Sequence, residues 1–255
     1  MSGERSLSGQ RLEDVARELV AACGLGPGMR ALDVGARTGD LAFAIAASGA
    51  SPEACEAVPA LVEEGRARCE ALGEWEIPWV VADAERLPLA GGRFDAVLSV
   101  FGLVAGPRAD VAVAEAFRVA RSGGCVGFTT WTPGSAGARL NELVGSRLPR
   151  PAGAAGSPAS WGEEATCRAR LRAYAVDVAF ELDSVLWTWP SVAAAREEIE
   201  RSSPSLAAAR AALSPERHAA LLDDLDDLVR ALNTATDGSV ACEAQYARVV
   251  ARKPG

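Results

Sequence analysis

The turn from Asp33 to Gly39 has the residue types and spacing of a ligand-binding loop. It follows a short apolar run, Ala31 to Val34, and a helical pattern begins directly after it. Such a turn places backbone N–H groups and a helix N-terminus at the strand's carboxyl end, where α/β sheets bind nucleotides or carboxylates. Glu56 follows about 17 residues later, where such folds hold ribose hydroxyls. We therefore expect a nucleotide-like ligand at this edge.

Three further motifs follow in order along the chain. They are Asp83-Ala84-Glu85 after a later apolar run, the segment from Phe94 to Phe101, and the segment from Phe117 to Gly124. With the turn and Glu56, they make the chain resemble the class I S-adenosylmethionine-dependent methyltransferases, in particular the bacterial small-molecule group with a ubiquinone-type methyltransferase domain. The resemblance runs from about Leu12 to Trp131, and more loosely to the carboxyl terminus.

This resemblance implies a site for S-adenosyl-L-methionine. In the family, the glycine turn holds the methionine part, the residue matching Glu56 binds the ribose, and the residue matching Asp83 faces the adenine amino group. Residues matching Ser99 to Phe101 lie at a strand end under the sulfonium. The cofactor-binding residues expected on this basis are Asp33, Gly35, Ala36, Arg37, Gly39, Glu56, Ala57, Asp83, Ala84, Ser99 and Val100.

The chain departs from the family pattern at two points of this site. The family turn reads Asp-x-Gly-x-Gly-x-Gly, and Arg37 stands at the central glycine, where the backbone passes close to the ligand. Its side chain could point to solvent, contact the cofactor carboxylate, or fill the ribose site and pair with Glu56 or Asp83. The second strand, Ser51 to Glu56, contains a proline and two acids, which is unexpected in a central strand.

Aromatic residues are the candidates for the substrate site. Trp131 ends the fifth predicted strand at the ligand-binding edge and is the best candidate for a wall of an apolar acceptor pocket, with Phe101 and Trp161 as further substrate-binding candidates. We name no catalytic base. The single histidine, His218, falls in the first turn of a helix that begins at Ser214-Pro215, far in sequence from the strand ends, and surface or capping roles suit it better.

The motifs lie on alternating strands and helices, so the predicted fold class is α/β, a mostly parallel sheet with helices on both faces. The family resemblance implies that this sheet is Rossmann-like and seven-stranded, with Val176 to Trp189 and Ser239 to Arg252 as its last, partly antiparallel strands. The apolar pattern of the first of these slips at Asp183-Ser184, which predicts a bulge or bend. A helical cap from Ser191 to Ala235 precedes the last strand. We expect one domain over residues 1–255, with a cofactor-binding core (1–133) and substrate-side helices plus the last two strands (134–255).

Composition excludes several classes of protein. The chain has 255 residues and a net charge of −8, and its scattered basic residues argue against nucleic-acid binding. The absence of a long apolar run or a signal sequence predicts a cytoplasmic protein that does not bind membranes. Six dispersed cysteines and one histidine give no metal-ligand spacing, so we expect no metal. The partner is then a small-molecule substrate, and the protein a monomer or homodimer.

The favoured function is methyl transfer from S-adenosyl-L-methionine to a small, largely apolar metabolite by O-, N- or C-methylation. The alternative is an enzyme of a natural-product pathway (secondary metabolism) that uses this fold without transferring methyl, such as a cyclase or isomerase. Arg37 and the unusual second strand favour that alternative. A binding or scaffold protein with an inactive site is the third hypothesis.

Overall fold

A computed structural model describes residues 7–149 and 157–255, and its centre is one seven-stranded sheet. The spatial order of the strands is β3-β2-β1-β4-β5-β7-β6. Their bounds are β1 Arg30–Val34, β2 Ser51–Glu56, β3 Trp79–Val81, β4 Phe94–Val100, β5 Ala120–Trp131, β6 Asp177–Trp189 and β7 Val240–Arg252. Strands β1 to β5 pair in parallel, and β7 is antiparallel to both β5 and β6. The predicted fold class is confirmed.

Helices cover both faces of the sheet. Their bounds in the described chain are α1 Leu7–Ala22, α2 Asp40–Ala47, α3 Pro59–Leu72, α4 Ala109–Val119, α5 Ala136–Arg147, α6 Glu164–Leu171, α7 Val192–Ser202, α8 Pro204–Ala212 and α9 Pro215–Leu232. A 3₁₀ helix spans Pro158–Gly162, and residues 150–156 lie outside the described chain. None of the helices described is long and apolar enough to cross a membrane.

The second strand is regular, contrary to the sequence-based expectation. Strand β2 pairs with β1 along its whole length, and its residues after Ser51 are buried. Pro52 is tolerated because its nitrogen faces the β3 side of the strand, and pairing with β3 begins only at Ala54. Glu53 forms ion pairs with Arg30 and Arg93. The chain therefore has a complete central sheet.

The predicted bulge in β6 is wrong. Strand β6 pairs with β7 in one continuous register from Asp177 to Trp189, with Asp183 opposite Tyr246 and Ser184 opposite Gln245. The slip in the apolar pattern at Asp183 arises because the two halves of the strand bury opposite faces. Phe180 packs on the cluster beneath α4, whereas Val185 packs with Tyr246 on the other face.

The cap helices have an apolar core of their own. Helices α5, α7, α8 and α9 pack together against the far ends of β6 and β7, through a cluster that includes Trp189, Ile199, Leu206, Leu225 and Cys242. Helix α9 begins as predicted, with Ser214 as N-cap and proline at the first helical position. The cap thus stands beside the carboxyl ends of β4 and β5. The division of the chain at residue 133 stays a prediction.

Candidate functional site

The turn after β1 is held by hydrogen bonds to β2. The N–H groups of Gly35 and Ala36 both donate to the carbonyl of Cys55, at 2.9 and 3.0 Å, and the N–H of Arg37 donates to Glu56 Oε2 at 3.0 Å. Gly39 closes the turn by donating to the Ala36 carbonyl. These four backbone N–H groups, which the sequence analysis expected to face a ligand, therefore form hydrogen bonds within the protein.

Glycine is required where the turns after β1 and β4 meet. Gly35 has φ +70°, and a Cβ added there would lie 3.1 Å from Cα of Gly102. Beneath this contact the buried hydroxyl of Ser99 donates to the Val34 carbonyl at 2.6 Å and accepts from the Leu103 N–H at 2.8 Å. Ser99 therefore joins the ends of β1 and β4, and Val100 beside it is half-buried.

Asp33 is a buried carboxylate with an unsatisfied oxygen. Its side chain is buried, and Oδ2 has no hydrogen-bond partner among the described residues. Loss of water raises the pKa of Asp33 well above its usual value, an N–H from Ala42 opposes that shift, and the nearby carboxylates of Asp40 and Glu56 add to it. A cationic ligand group at this oxygen would stabilise the charged form.

The acids after β2 and β3 lie at the same edge of the sheet. Glu56 is buried, and its second oxygen accepts the N–H of Val58 at 3.0 Å, while Ala57 is exposed. Asp83 is exposed and accepts the Glu85 N–H at 2.9 Å, with Ala84 half-buried beside it. Parallel strands bring these residues to one edge, as predicted for an adenosine site.

The Arg37 side chain makes a contact that the sequence did not reveal. The residue is half-buried with φ +51°, and its guanidinium donates to the carbonyl of Ser202, the last residue of α7. Within the described chain, no ion pair joins it to Glu56 or Asp83, although its N–H bonds Glu56. The contact with the cap differs from all three positions considered for this side chain.

Four aromatic rings cluster at the ends of β4 and β5. Phe101 and Trp131 are stacked with centroids 3.8 Å apart, and Trp187 and Tyr246 meet Trp131 edge-on. Phe101 has φ +57°, rare for an aromatic residue, and its N–H donates to Thr129 Oγ1 at 3.1 Å. Such strain is common at functional sites.

Trp161 is not part of this cluster. Its ring is buried against Phe128 in the core beneath α4, with the guanidinium of Arg170 over it. Conversely, the sequence analysis named neither Trp187 nor Tyr246 as a site residue. The signal for Tyr246 is strand pairing, because it lies directly opposite Trp131 on the neighbouring strand.

An apolar cavity lies next to the aromatic cluster. Its volume is about 20 Å³, and it is lined by residues of α5, α7, α9 and the ends of β6 and β7. The lining includes Trp187, Trp189, Leu228 and Leu232, and Trp187 also contacts Trp131. The cluster and the cavity together form one continuous apolar region.

Ionisable groups at the cluster are engaged elsewhere. The hydroxyl of Tyr246 donates to Glu18 Oε2 at 3.3 Å, and burial raises its pKa. Glu18 also pairs with Arg248 at 2.8 Å. His218 lies on α9 at a separate groove beside Arg196. In the parts of the chain that are described, no cluster of three or more His, Cys, Asp or Glu side chains could hold a metal ion.

The residues present fit S-adenosylmethionine. The unpartnered oxygen of Asp33 suits the ammonium of the methionine part, and the carboxylate of Glu56 lies where ribose hydroxyls bind. Gly35 can pack closely against Gly102 only because it lacks a Cβ. The Arg37 side chain extends from this edge to α7.

Known proteins with similar sequences include methyltransferases. A family described as "Methyltransferase domain" matches residues 31–124. The uncharacterised protein Rv1403c of Mycobacterium tuberculosis is 36% identical over 162 residues, covering 63% of this chain and 58% of that protein. The ubiquinone/menaquinone biosynthesis C-methyltransferase UbiE of Cereibacter sphaeroides is 35% identical over 128 residues, covering 49% and 46%. The chain thus spans about half the length of the curated relatives it matches.

Solved structures share the whole fold at low identity. A protein of Bacillus halodurans solved as a candidate methyltransferase has a TM-score of 0.64 at 17% identity, covering 95% of this chain and 100% of that one. The [4+2]-cyclase SpnF has a TM-score of 0.59 at 20% identity, covering 100% and 84%. Haemonchus contortus phosphoethanolamine N-methyltransferase 2, solved with S-adenosyl-L-methionine, has a TM-score of 0.59 at 17% identity, covering 95% and 53%. Residues 31–124 of the chain therefore match a methyltransferase domain, and the chain shares its fold with solved methyltransferase structures.

Proposed function

We propose that the protein transfers a methyl group from S-adenosylmethionine to a small, largely apolar metabolite. The observation that carries the proposal is that the cofactor turn and the aromatic cluster adjoin: Gly35 touches Gly102, and Gly102 directly follows Phe101. A methyl donor held at the turn would thus meet an acceptor held at the aromatic rings. The family match over residues 31–124 supports the donor half of this site.

The proposed cofactor site uses the residues expected from the family. S-adenosylmethionine supplies an electrophilic methyl group on a sulfonium. Asp33 accepts from the ammonium, Glu56 and Ala57 face the ribose, and Asp83 and Ala84 face the adenine. The turn residues and the Ser99-Val100 strand end form the floor between them. Arg37 borders this site through its backbone.

Placement, not proton removal, would drive the reaction at this site. An in-line displacement is accelerated when acceptor and donor are aligned in a region without water. Phe101 and Trp131 provide an apolar wall, and the apolar side chains around Trp187 extend it. Tyr246 holds its proton, because burial raises its pKa and its hydroxyl donates to Glu18. The acceptor is therefore an amine, a readily ionised hydroxyl or an activated carbon.

The setting of this activity follows from the same properties. We propose a cytoplasmic enzyme of secondary metabolism that acts as a monomer or homodimer on a free small molecule and needs neither metal nor nucleic acid. Residues 1–133 would bind the cofactor and residues 134–255 the acceptor, within one domain.

A methyl-transfer assay tests the proposal. The protein is incubated with methyl-labelled S-adenosylmethionine and a panel of apolar amines, phenols and enols, and formation of S-adenosylhomocysteine is measured. We expect turnover with one acceptor class, and at least a tenfold loss in Trp131→Ala, which removes the stacked wall. Trp75→Ala, which removes a ring beside α2, is the control. Acceptor-dependent turnover that is equal in wild type and Trp131→Ala would contradict the proposed acceptor site.

A cyclase or isomerase on the same fold is the second candidate. It is favoured by Arg37 at a family glycine and by the full-length fold likeness to the cyclase SpnF. An apolar pocket without a free base would suit the shaping of a reactive intermediate. This candidate predicts that activity on the native substrate survives complete removal of the cofactor and the change Arg37→Gly. Strict dependence of turnover on S-adenosylmethionine would exclude it.

A further inference from the structure

In the sequence Ser202-Ser203-Pro204, the backbone carbonyl of Ser202 has no helical N–H to accept a hydrogen bond from and needs another hydrogen-bond donor. Pro204 starts α8 and has no N–H, and Ser203 is the N-cap of α8, with its hydroxyl accepting the Leu206 N–H at 3.3 Å. The helical ladder therefore breaks at this point, and the Ser202 carbonyl is left at the negative end of α7. A cation near this carbonyl is favoured on electrostatic grounds.

Arg37 supplies that cation from the cofactor turn. Its guanidinium donates to the Ser202 carbonyl across a sequence separation of 165 residues. Its own N–H is fixed by Glu56 at the end of β2, so the anchor of the side chain is rigid. By contrast, the ion pair of Arg147 with Asp224 joins two residues of the carboxyl-terminal half.

The backbone of Arg37 adopts a conformation that suits glycine better. Its φ of +51° is the left-handed region, which arginine occupies at a cost. The backbone strain at this position is offset only if the side chain makes a favourable contact. The hydrogen bond from the guanidinium to α7 is such a contact. The departure from the glycine pattern then has a physical reason.

We propose that Arg37 is a positioning residue that straps helix α7 of the cap to the cofactor turn and slows exit of the bound cofactor. The second part rests on the proposed function. Because the strap runs from the turn to α7, a ligand held at the turn leaves faster when the strap is released. Arg37 would thus couple cofactor residence to the position of the cap that lines the acceptor cavity.

Hydrogen exchange of the full chain tests the strap without any ligand. Arg37→Met removes the donor, and Arg201→Met removes an equal charge from an exposed position on the same turn of α7. We expect amides from 199 to 206, which include the Ser203 N–H bonded to Ile199, to exchange about tenfold faster in Arg37→Met and at the wild-type rate in Arg201→Met. Equal exchange in all three proteins would overturn the strap.

Two further variants serve as controls for the hydrogen-exchange experiment. Arg37→Gly fits the positive φ and removes the strap without backbone strain, so it should reproduce the faster exchange even if Arg37→Met folds poorly. Ser202→Ala keeps the backbone carbonyl and should behave as wild type. A loosened cap in Ser202→Ala, with Arg37→Gly unchanged, would contradict the assignment.

The second readout is the dissociation rate of S-adenosylhomocysteine, followed by stopped-flow displacement. We expect release about tenfold faster from Arg37→Gly than from wild type and Arg201→Met. An unchanged rate would overturn the link between strap and cofactor. If wild type bound no S-adenosylhomocysteine, the proposed function and this link would both fail, whereas the exchange experiment would still decide whether the strap exists.

Discussion

A buried carboxylate oxygen without a hydrogen-bond partner destabilises a folded protein, and Oδ2 of Asp33 is such an atom within the described chain. The pKa of Asp33 is raised chiefly because burial removes water, and the carboxylates of Asp40 and Glu56 add to the effect. In the proposed function, the ammonium of the cofactor relieves this penalty. Stability of the free protein and affinity for the ligand should therefore respond to Asp33 in opposite directions.

Asp33→Asn is expected to stabilise the free protein by roughly 1–3 kcal/mol at neutral pH and to weaken binding of S-adenosylhomocysteine about tenfold or more. The folded state of wild type binds more protons than the unfolded state above pH 3.8, so its stability falls as pH rises from there towards the raised pKa. Denaturant unfolding from pH 4 to pH 8 measures this change, and the gap between variant and wild type should widen with pH.

Asp227→Asn is the matched control, because it removes one charge from a side chain that is 80% exposed on α9. It should alter neither stability nor binding appreciably. A variant Asp33→Asn that was less stable than wild type at neutral pH, or that bound as tightly, would show that the orphaned oxygen has another role.

Residue types predicted the positions of the site better than its contacts. The glycine turn, Glu56 and Asp83 could be located because each follows an apolar strand, and strand ends meet at one edge. The destination of the Arg37 side chain could not be predicted, since Ser202 is 165 residues away and contributes only a backbone carbonyl. Trp161 was expected at the substrate site for a similar reason, because its position in the sequence does not show which apolar cluster its side chain joins.

At the level of elements, pairing outweighs composition. Strand β2 looked unsuitable for the centre of a sheet because it contains Pro52 and two acids. Pairing with β3 begins only after the proline, so no hydrogen bond is required from the proline nitrogen. The apparent slip in β6 is a change in which face is buried, with the register intact. Both features depend on neighbouring strands, which a single segment does not reveal.

Helix α5 offers a sharp test of how the cap positions Trp131. A Cβ at Gly137 would overlap the Trp131 ring, whereas a Cβ at Gly145 in the same helix would meet nothing within 4 Å. We expect Gly137→Ala to destabilise the fold by about 1–3 kcal/mol and to reduce methyl transfer, because the indole must shift. Gly145→Ala should stabilise it by roughly 0.5–1 kcal/mol.

Urea unfolding and the methyl-transfer assay check the pair together. We expect the two variants to change the free energy of unfolding in opposite directions, and we expect only Gly137→Ala to change methyl transfer. If the two variants behaved alike in both measurements, close packing of α5 on Trp131 would be excluded as a determinant of the acceptor wall.

For the whole molecule, sheet topology explains why distant residues form one site. The strand order places the carboxyl ends of β1, β2, β4 and β5 side by side, and antiparallel β7 brings Tyr246 next to Trp131. The mostly parallel sheet could be anticipated from the alternating pattern, and the capping helices from the helical pattern near the carboxyl terminus. The distance between cap and cofactor turn could not, because it depends on packing between α7 and the sheet.

The central claim is that this edge of the sheet binds S-adenosylmethionine. Calorimetric titration of the full chain with S-adenosylhomocysteine tests it most directly, with Glu56→Gln as the site variant and Glu243→Gln, exposed on β7, as the control. The account predicts one saturable site with a dissociation constant below about 1 mM, weakened in Glu56→Gln and unchanged in Glu243→Gln. No binding heat from either S-adenosylhomocysteine or S-adenosylmethionine at millimolar concentration would contradict it.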